Sequence, residues 1–164
     1  MKSAIPTSKF NILPLLVILF ITQAAGFIPA LITQPNAAWY NMLTKPLFYP
    51  PSTFLALAWT FVYILIAIAA YLVWQRRDGS TNYLTARAVY VIQLMLNFLW
   101  SIVFFGFHSV GGALLVVILL WMIILLNIRW FGKVSKTAGW LLMPYFLWVS
   151  FAAILNYSIY TLNR

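Results

Sequence analysis

Cysteine and glutamate are absent from this sequence, and aspartate and histidine occur once each, as Asp78 and His108. Without cysteine there is neither a disulfide framework nor a thiolate metal site. A lone imidazole in a short loop lacks the partners that a zinc or haem centre requires, so no metal site is expected and His108 reads as a turn or interfacial residue. General acid–base catalysis draws on positioned carboxylates, histidines or lysines. One acid in a basic loop offers little of that chemistry, and no catalytic residue is assigned on it. No Gly-rich phosphate loop occurs, and no ionisable side chain falls midway along an apolar run, which argues against coupling to protons or sodium ions.

Charge is scarce as well. Charged residues make up 7% of the 164-residue chain, whereas soluble domains carry about 25%. Hydrophobic residues reach 65% and aromatic ones 18%, a balance that excludes a soluble globular domain. The ten Lys and Arg leave a formal net charge of +9. They are scattered between long uncharged stretches and not clustered on a solvated face, so no nucleic-acid partner is expected.

The uncharged stretches cover residues 10–44, 46–75, 88–128 and 137–163. A bilayer crossing takes roughly 20 apolar residues. The first, second and fourth stretches therefore hold one crossing each, and the third holds two, divided at Gly106-Phe107-His108-Ser109-Val110-Gly111-Gly112. Spans are expected near 10–32, 53–75, 83–105, 111–130 and 139–161. The runs are continuously apolar and do not alternate with period two, which selects helices over a β-barrel. The expected fold is all-α, a five-transmembrane-helix bundle forming a single integral membrane domain over residues 1–164. Lys2 and Lys9 followed by an apolar run and Ala24-Ala25-Gly26 have the outline of a signal peptide. Phe27 to Ile32 lengthen that run to a full span, and a span is the reading taken.

With five spans, the N-terminus, the second loop and the fourth loop share one side. That side collects Lys2, Lys9, Arg76, Arg77, Arg87, Arg129, Lys133 and Lys136, and the other holds Lys45 and Arg164. Basic loops stay cytoplasmic, so the N-terminus is expected inside and the C-terminus outside. Arg87 and Arg129 lie near span ends, where the guanidinium can reach the headgroups.

Polar and small residues at helical spacing mark the faces expected to point inward. In the third span Gln93, Asn97, Trp100 and Ser101 form one stripe. Tyr145, Trp148, Ala152 and Asn156 do the same in the fifth, and Trp59, Tyr63, Ile66 and Ala70 in the second. Amides and rings of this kind can serve as interhelical glue. Converging from three helices, they also suit a large, flat, hydrophobic ligand, rings against its faces and amides at its polar edge. Trp74, Tyr83, Trp130 and Trp140 fall at span ends and fit an interfacial belt. Gly26 and Ala30 form a small-xxx-small pair that permits close helix approach, within one chain or between two copies. Pro29 and Pro144 are positions for a lost backbone bond or a kink. The longest loop, residues 33–52, carries Trp39-Tyr40 and Lys45-Pro46-Leu47-Phe48-Tyr49-Pro50-Pro51. Its prolines lower the entropy of ordering, and its rings give it something to bury, so it reads as a lid.

Several of these motifs, in order and at fixed spacing, resemble the TspO/MBR family, the translocator protein or peripheral benzodiazepine receptor family. They are Trp39-Tyr40-Asn41-Met42-Leu43-Thr44-Lys45-Pro46-Leu47-Phe48-Tyr49-Pro50-Pro51, then Trp59, Tyr63 and Tyr71-Leu72-Val73-Trp74. Gln93, Asn97 and Trp100, Phe104-Phe105-Gly106, Pro144-Tyr145 with Trp148, and Leu155-Asn156-Tyr157 follow. The resemblance implies a dimeric five-helix bundle that binds protoporphyrin IX, haem or benzodiazepine-type ligands beneath its first loop, with no required cofactor and a role in porphyrin handling or stress response. By matching position, Tyr63, Asn97, Trp100, Trp148 and Ala152 would line the pocket. Trp39, Phe48 and Tyr145 complete the candidate ligand-binding set. Porphyrin breakdown attributed to some members would make Trp148 the redox-active ring, and a third class of role is a structural modulator of other membrane proteins. Phe48 stands where many members carry Trp, so a reaction needing a tryptophan pair would lack one ring at that position. A sterol-recognition pattern fits only as Leu155, Tyr160 and Arg164, and no sterol binding is inferred from it. The short chain suggests a bacterial cell membrane as its setting.

Overall fold

A computed structural model describes residues 10–33 and 37–164. Lys2 and Lys9, which belong to the charge count above, lie outside the described residues. The described chain is helical, with α1 at Ile12–Thr33, α2 at Ala37–Met42, α3 at Ser52–Trp74, α4 at Thr81–Ser101, α5 at Val110–Val134, α6 at Lys136–Leu141 and α7 at Met143–Leu162. A π-helical turn, Ile102–Gly106, extends α4. Counting α4 with its π turn and α6 with α7, five helices are long and apolar enough to cross a membrane. Each of the five begins within three residues of its expected start. Serines start three of the helices: Ser80, Ser109 and Ser135 accept the backbone N–H of Tyr83, Gly112 and Ala138, covering amides that no helical carbonyl reaches. The fifth span is interrupted at Leu142, and Pro144 stands in the first turn of α7, where its missing N–H costs nothing.

The helices close into a ring in the order α1, α3, α7, α5, α4. The inward stripes are the buried ones: Gln93, Asn97, Tyr63, Ile66, Ala70, Tyr145 and Asn156 are all buried. Ile66, Leu120, Ile124, Phe131, Leu142 and Val149 fill the half of the bundle that contains the C-terminal ends of α3 and α5. Large apolar side chains such as Phe20, Leu57, Met95, Leu115 and Leu147 face outward, as lipid-facing positions should. Of the expected belt, Trp140 is 71% exposed, and Trp74 and Trp130 lie under the cations of Arg77 and Lys133. Tyr83 departs from that pattern. Its ring is buried in the core cluster, while Thr81, Asn82 and Leu84 beside it in the first turn of α4 are exposed.

Of the small-xxx-small pair, Gly26 makes a close contact within the chain. A Cβ at Gly26 would lie 2.3 Å from Cε2 of Tyr63, so α1 can meet the α3 tyrosine only through glycine.

Candidate functional site

Beyond the level of Tyr63, toward the loop, the helices enclose a cavity of about 410 Å³. Its wall comes from the second half of α1, the first half of α3, the end of α4 with its π turn, and α7 from Trp148 to Ile159. The residue 37–51 segment covers it, contributing Tyr40 and Tyr49. The volume lies within the range of about 300–1,000 Å³ usual for small-molecule sites.

Three indoles define the interior. Trp59 stands edge-on to Trp148, ring centroids 6.0 Å apart, and lies 6.5 Å from Trp100 at a tilt of 31°. Trp100 stacks in turn on Phe104 at 5.3 Å. The polar groups are mostly committed to protein. The Trp100 indole N–H donates to Asn156 (3.0 Å), whose own amide donates to the Val110 carbonyl (3.1 Å), tying α4 and α7 to the start of α5. The Asn97 amide donates to the Gln93 carbonyl (2.9 Å) and to the Tyr145 hydroxyl (2.7 Å). With both N–H groups spent, Asn97 has an acceptor oxygen left to offer the cavity it lines. The Trp148 indole N–H is buried with no partner. A buried donor in that state costs about 1–3 kcal/mol until an acceptor meets it.

Of the sequence-derived set, Tyr63, Asn97, Trp100, Trp148 and Ala152 line the cavity. Tyr145 stands one layer behind, fully buried, where its hydroxyl holds Asn97. Trp39 packs outside the wall, stacked on His108 at 4.3 Å and edge-on to Phe104 at 5.7 Å. His108 has φ 54°, a left-handed turn conformation outside the cavity. Phe48 is 51% exposed and touches the wall from outside, edge-on to Phe151. The cavity nevertheless contains a tryptophan pair, because Trp59 supplies the second ring next to Trp148.

Unlike the inward stripes of α3, α4 and α7, the α1 contribution of Gln23, Gly26, Phe27 and Ala30 is hard to read from sequence. Phe27 does not contrast with the apolar residues around it, and only the amide of Gln23 and the small pair Gly26 and Ala30 hint at a contact face. Phe105 escapes helical periodicity for a different reason. The π turn, closed by Phe107 N–H to the Ile102 carbonyl at 3.0 Å, advances each residue through a smaller angle than an α-helix does. Phe104 and Phe105 can then both reach the cavity.

The sequence matches the TspO/MBR family over residues 17–162. The chain belongs to this family. It is 40% identical over 154 residues to the tryptophan-rich protein TspO of Archaeoglobus fulgidus, covering 93% of this chain and 99% of that protein. The tryptophan-rich protein TspO of Chlorobaculum tepidum is 37% identical over 158 residues, 93% of this chain and 98% of its own. The translocator protein of Bos taurus is 32% identical over 162 residues, 98% of this chain and 91% of its own. For a TspO/MBR protein with five candidate membrane spans, the cavity at the loop end is the candidate site.

Proposed function

We propose that this protein is a multi-pass membrane receptor or carrier that binds a tetrapyrrole such as protoporphyrin IX in the aromatic cavity, with the residue 37–51 segment as its cap. The observation that carries the reading is the cavity itself, with Trp59, Trp100 and Trp148 in its wall and the Asn97 carbonyl oxygen free of other duty. Ring faces suit a flat macrocycle, and an acceptor suits its pyrrole N–H groups. Among the described residues, the cavity wall holds no histidine, cysteine or methionine. Recognition therefore rests on stacking and polar edges and not on iron ligation by nitrogen or sulfur.

Titration with protoporphyrin IX in nonionic micelles, followed by porphyrin absorbance, tests this. Stacking on one aromatic face is worth about 1–3 kcal/mol, so Trp148→Ala should weaken binding about tenfold or more. Asn97→Ala should weaken it less. Unchanged affinity in both variants would place the ligand elsewhere, and the absence of saturable binding would favour a structural modulator. The Trp59–Trp148 pair keeps a second reading in view, oxidative degradation of the bound porphyrin. In light and air a receptor leaves the porphyrin bleaching no faster than in protein-free micelles, whereas a degrading enzyme accelerates the loss with turnover. The orientation proposed with this function has the N-terminus cytoplasmic and the loop and C-terminus outside, on the distribution of Lys and Arg.

A further inference from the structure

A second hollow lies on the outside of the bundle, between α3 and α7. It is a cleft of about 360 Å³, walled by Phe54, Ala58 and Phe61 of α3 and by Pro144, Leu147 and Trp148 of α7. Each set falls on one helical face, at i, i+4 and i+7 in α3 and at i, i+3 and i+4 in α7. Ala58 is small between two phenylalanines, which leaves a notch in the α3 face. Phe54, Phe61 and Leu147 around it are exposed. The notch runs from Phe54, near the loop end of α3, to Phe61, near the middle of that span.

Every wall residue belongs to a segment long and apolar enough to cross a membrane, so the cleft opens on hydrocarbon and not on water. Among the described residues, its wall carries a single side-chain polar atom, the Trp148 N–H, and that atom is buried. The cleft therefore has nothing with which to hold a headgroup, a water or a peptide backbone. Left empty, its walls would forfeit their dispersion contacts on one side. A second copy is a poor filling, since a stable interface takes roughly 20–30 residues a side, far more than the handful that line this notch.

Among the described residues, Trp148 alone lines both the cleft and the cavity. Phe54 meets its ring edge-on at 6.1 Å on the cleft side, and Trp59 meets it edge-on at 6.0 Å in the cavity wall. The Trp100 and Trp121 indoles are anchored by N–H bonds to Asn156 and Ser150, whereas the Trp148 N–H has no partner. Packing alone holds this indole, and whatever fills the cleft is part of that packing.

We propose that the cleft between α3 and α7 is a binding site for one acyl chain of a phospholipid in the loop-side leaflet, which packs on Trp148 from the membrane. The site is separate from the cavity and does not depend on what the cavity holds.

The test uses the full chain in liposomes of dioleoylphosphatidylcholine, with a rising fraction replaced by its dibrominated analogue, because a bromine in mid-chain quenches an indole that it touches. The Trp148 signal is the difference between the unmodified chain and Trp148→Phe. One seated chain predicts quenching of that signal in proportion to the brominated mole fraction, whereas an indole bathed by several exchanging lipids is quenched more steeply at low fractions. Ala58→Phe, which fills the notch from α3, should remove most of the quenching, and Ala58→Leu, a smaller filling, should remove part of it. Leu57→Phe, at an exposed position outside both hollows, should leave it unchanged. Steep quenching, or quenching that survives both Ala58 variants, would overturn the site. Quenching that falls as the protein is concentrated in the bilayer at a fixed brominated fraction would make a second copy the occupant, and would overturn it as well.

Discussion

At Gly26 the missing Cβ decides how closely α1 meets α3. A methyl group on that Cα would stand 2.3 Å from Tyr63 Cε2, a clash that cannot be relieved without moving a ring that is itself buried. Overpacking of this kind costs about 1–3 kcal/mol. Gly26→Ala should therefore lower the midpoint of thermal unfolding in detergent, and Tyr63→Ala in the same chain should recover part of the loss, a coupling that independent sites would not show. Residue roles are unevenly legible in the sequence. Tyr63, Asn97 and Trp148 stand out because a polar or amphipathic side chain in an apolar run has few places to go. Tyr145 shares their stripe, yet its hydroxyl is taken up by Asn97, and periodicity cannot tell the wall of a cavity from the layer behind it. Trp39 and Phe48 belong to the loop that covers the site, but their rings pack on the outer side of Phe104 and Phe151.

The elements that cap the site are held by a small number of contacts. Asn163, at the end of α7, bonds both polar atoms of the Thr44 backbone and also the Ile159 carbonyl at 2.8 Å, so the loop is pinned to a helix that carries cavity residues. Each such bond contributes about 0.5–1.5 kcal/mol net. Asn163→Ala should raise amide hydrogen exchange across residues 43–49 by about tenfold while leaving α3 and α5 protected, as measured by exchange mass spectrometry. Unaltered exchange there would mean that the Tyr40–Tyr49 pair and the ring contacts hold the loop without the clasp. The five spans are readable from run length, since a bilayer imposes a minimum that few other structures meet. The π turn after Ser101 is not, because a period of 3.6 is assumed wherever helical faces are read from sequence. Nor does the sequence locate the short break at Leu142, although Pro144 marks its neighbourhood.

Across the whole molecule, charge and cavity divide the bundle into two ends. Arg76 donates to the Val134 carbonyl at 2.7 Å, with Arg77 and Lys133 nearby in the chain, whereas Lys45 stands at the loop end, where Asn163 and the C-terminal turn close on Thr44. A C-terminal phosphatase fusion that is active only outside the cytoplasm should be active, and activity confined to a cytoplasmic reporter would invert the assignment. The ring order α1, α3, α7, α5, α4 is not legible, because three inward stripes do not say which helix each one meets. Placing the loop and the C-terminal turn at the same end has a consequence for supply. The two aqueous phases are not equivalent to this cavity: its cap and the clasp of Asn163 on Thr44 both lie at one end of the bundle. In the proposed orientation a ligand arriving through the loop is drawn from the exterior phase, and cytoplasmic ligand would have to cross the bilayer before reaching the loop.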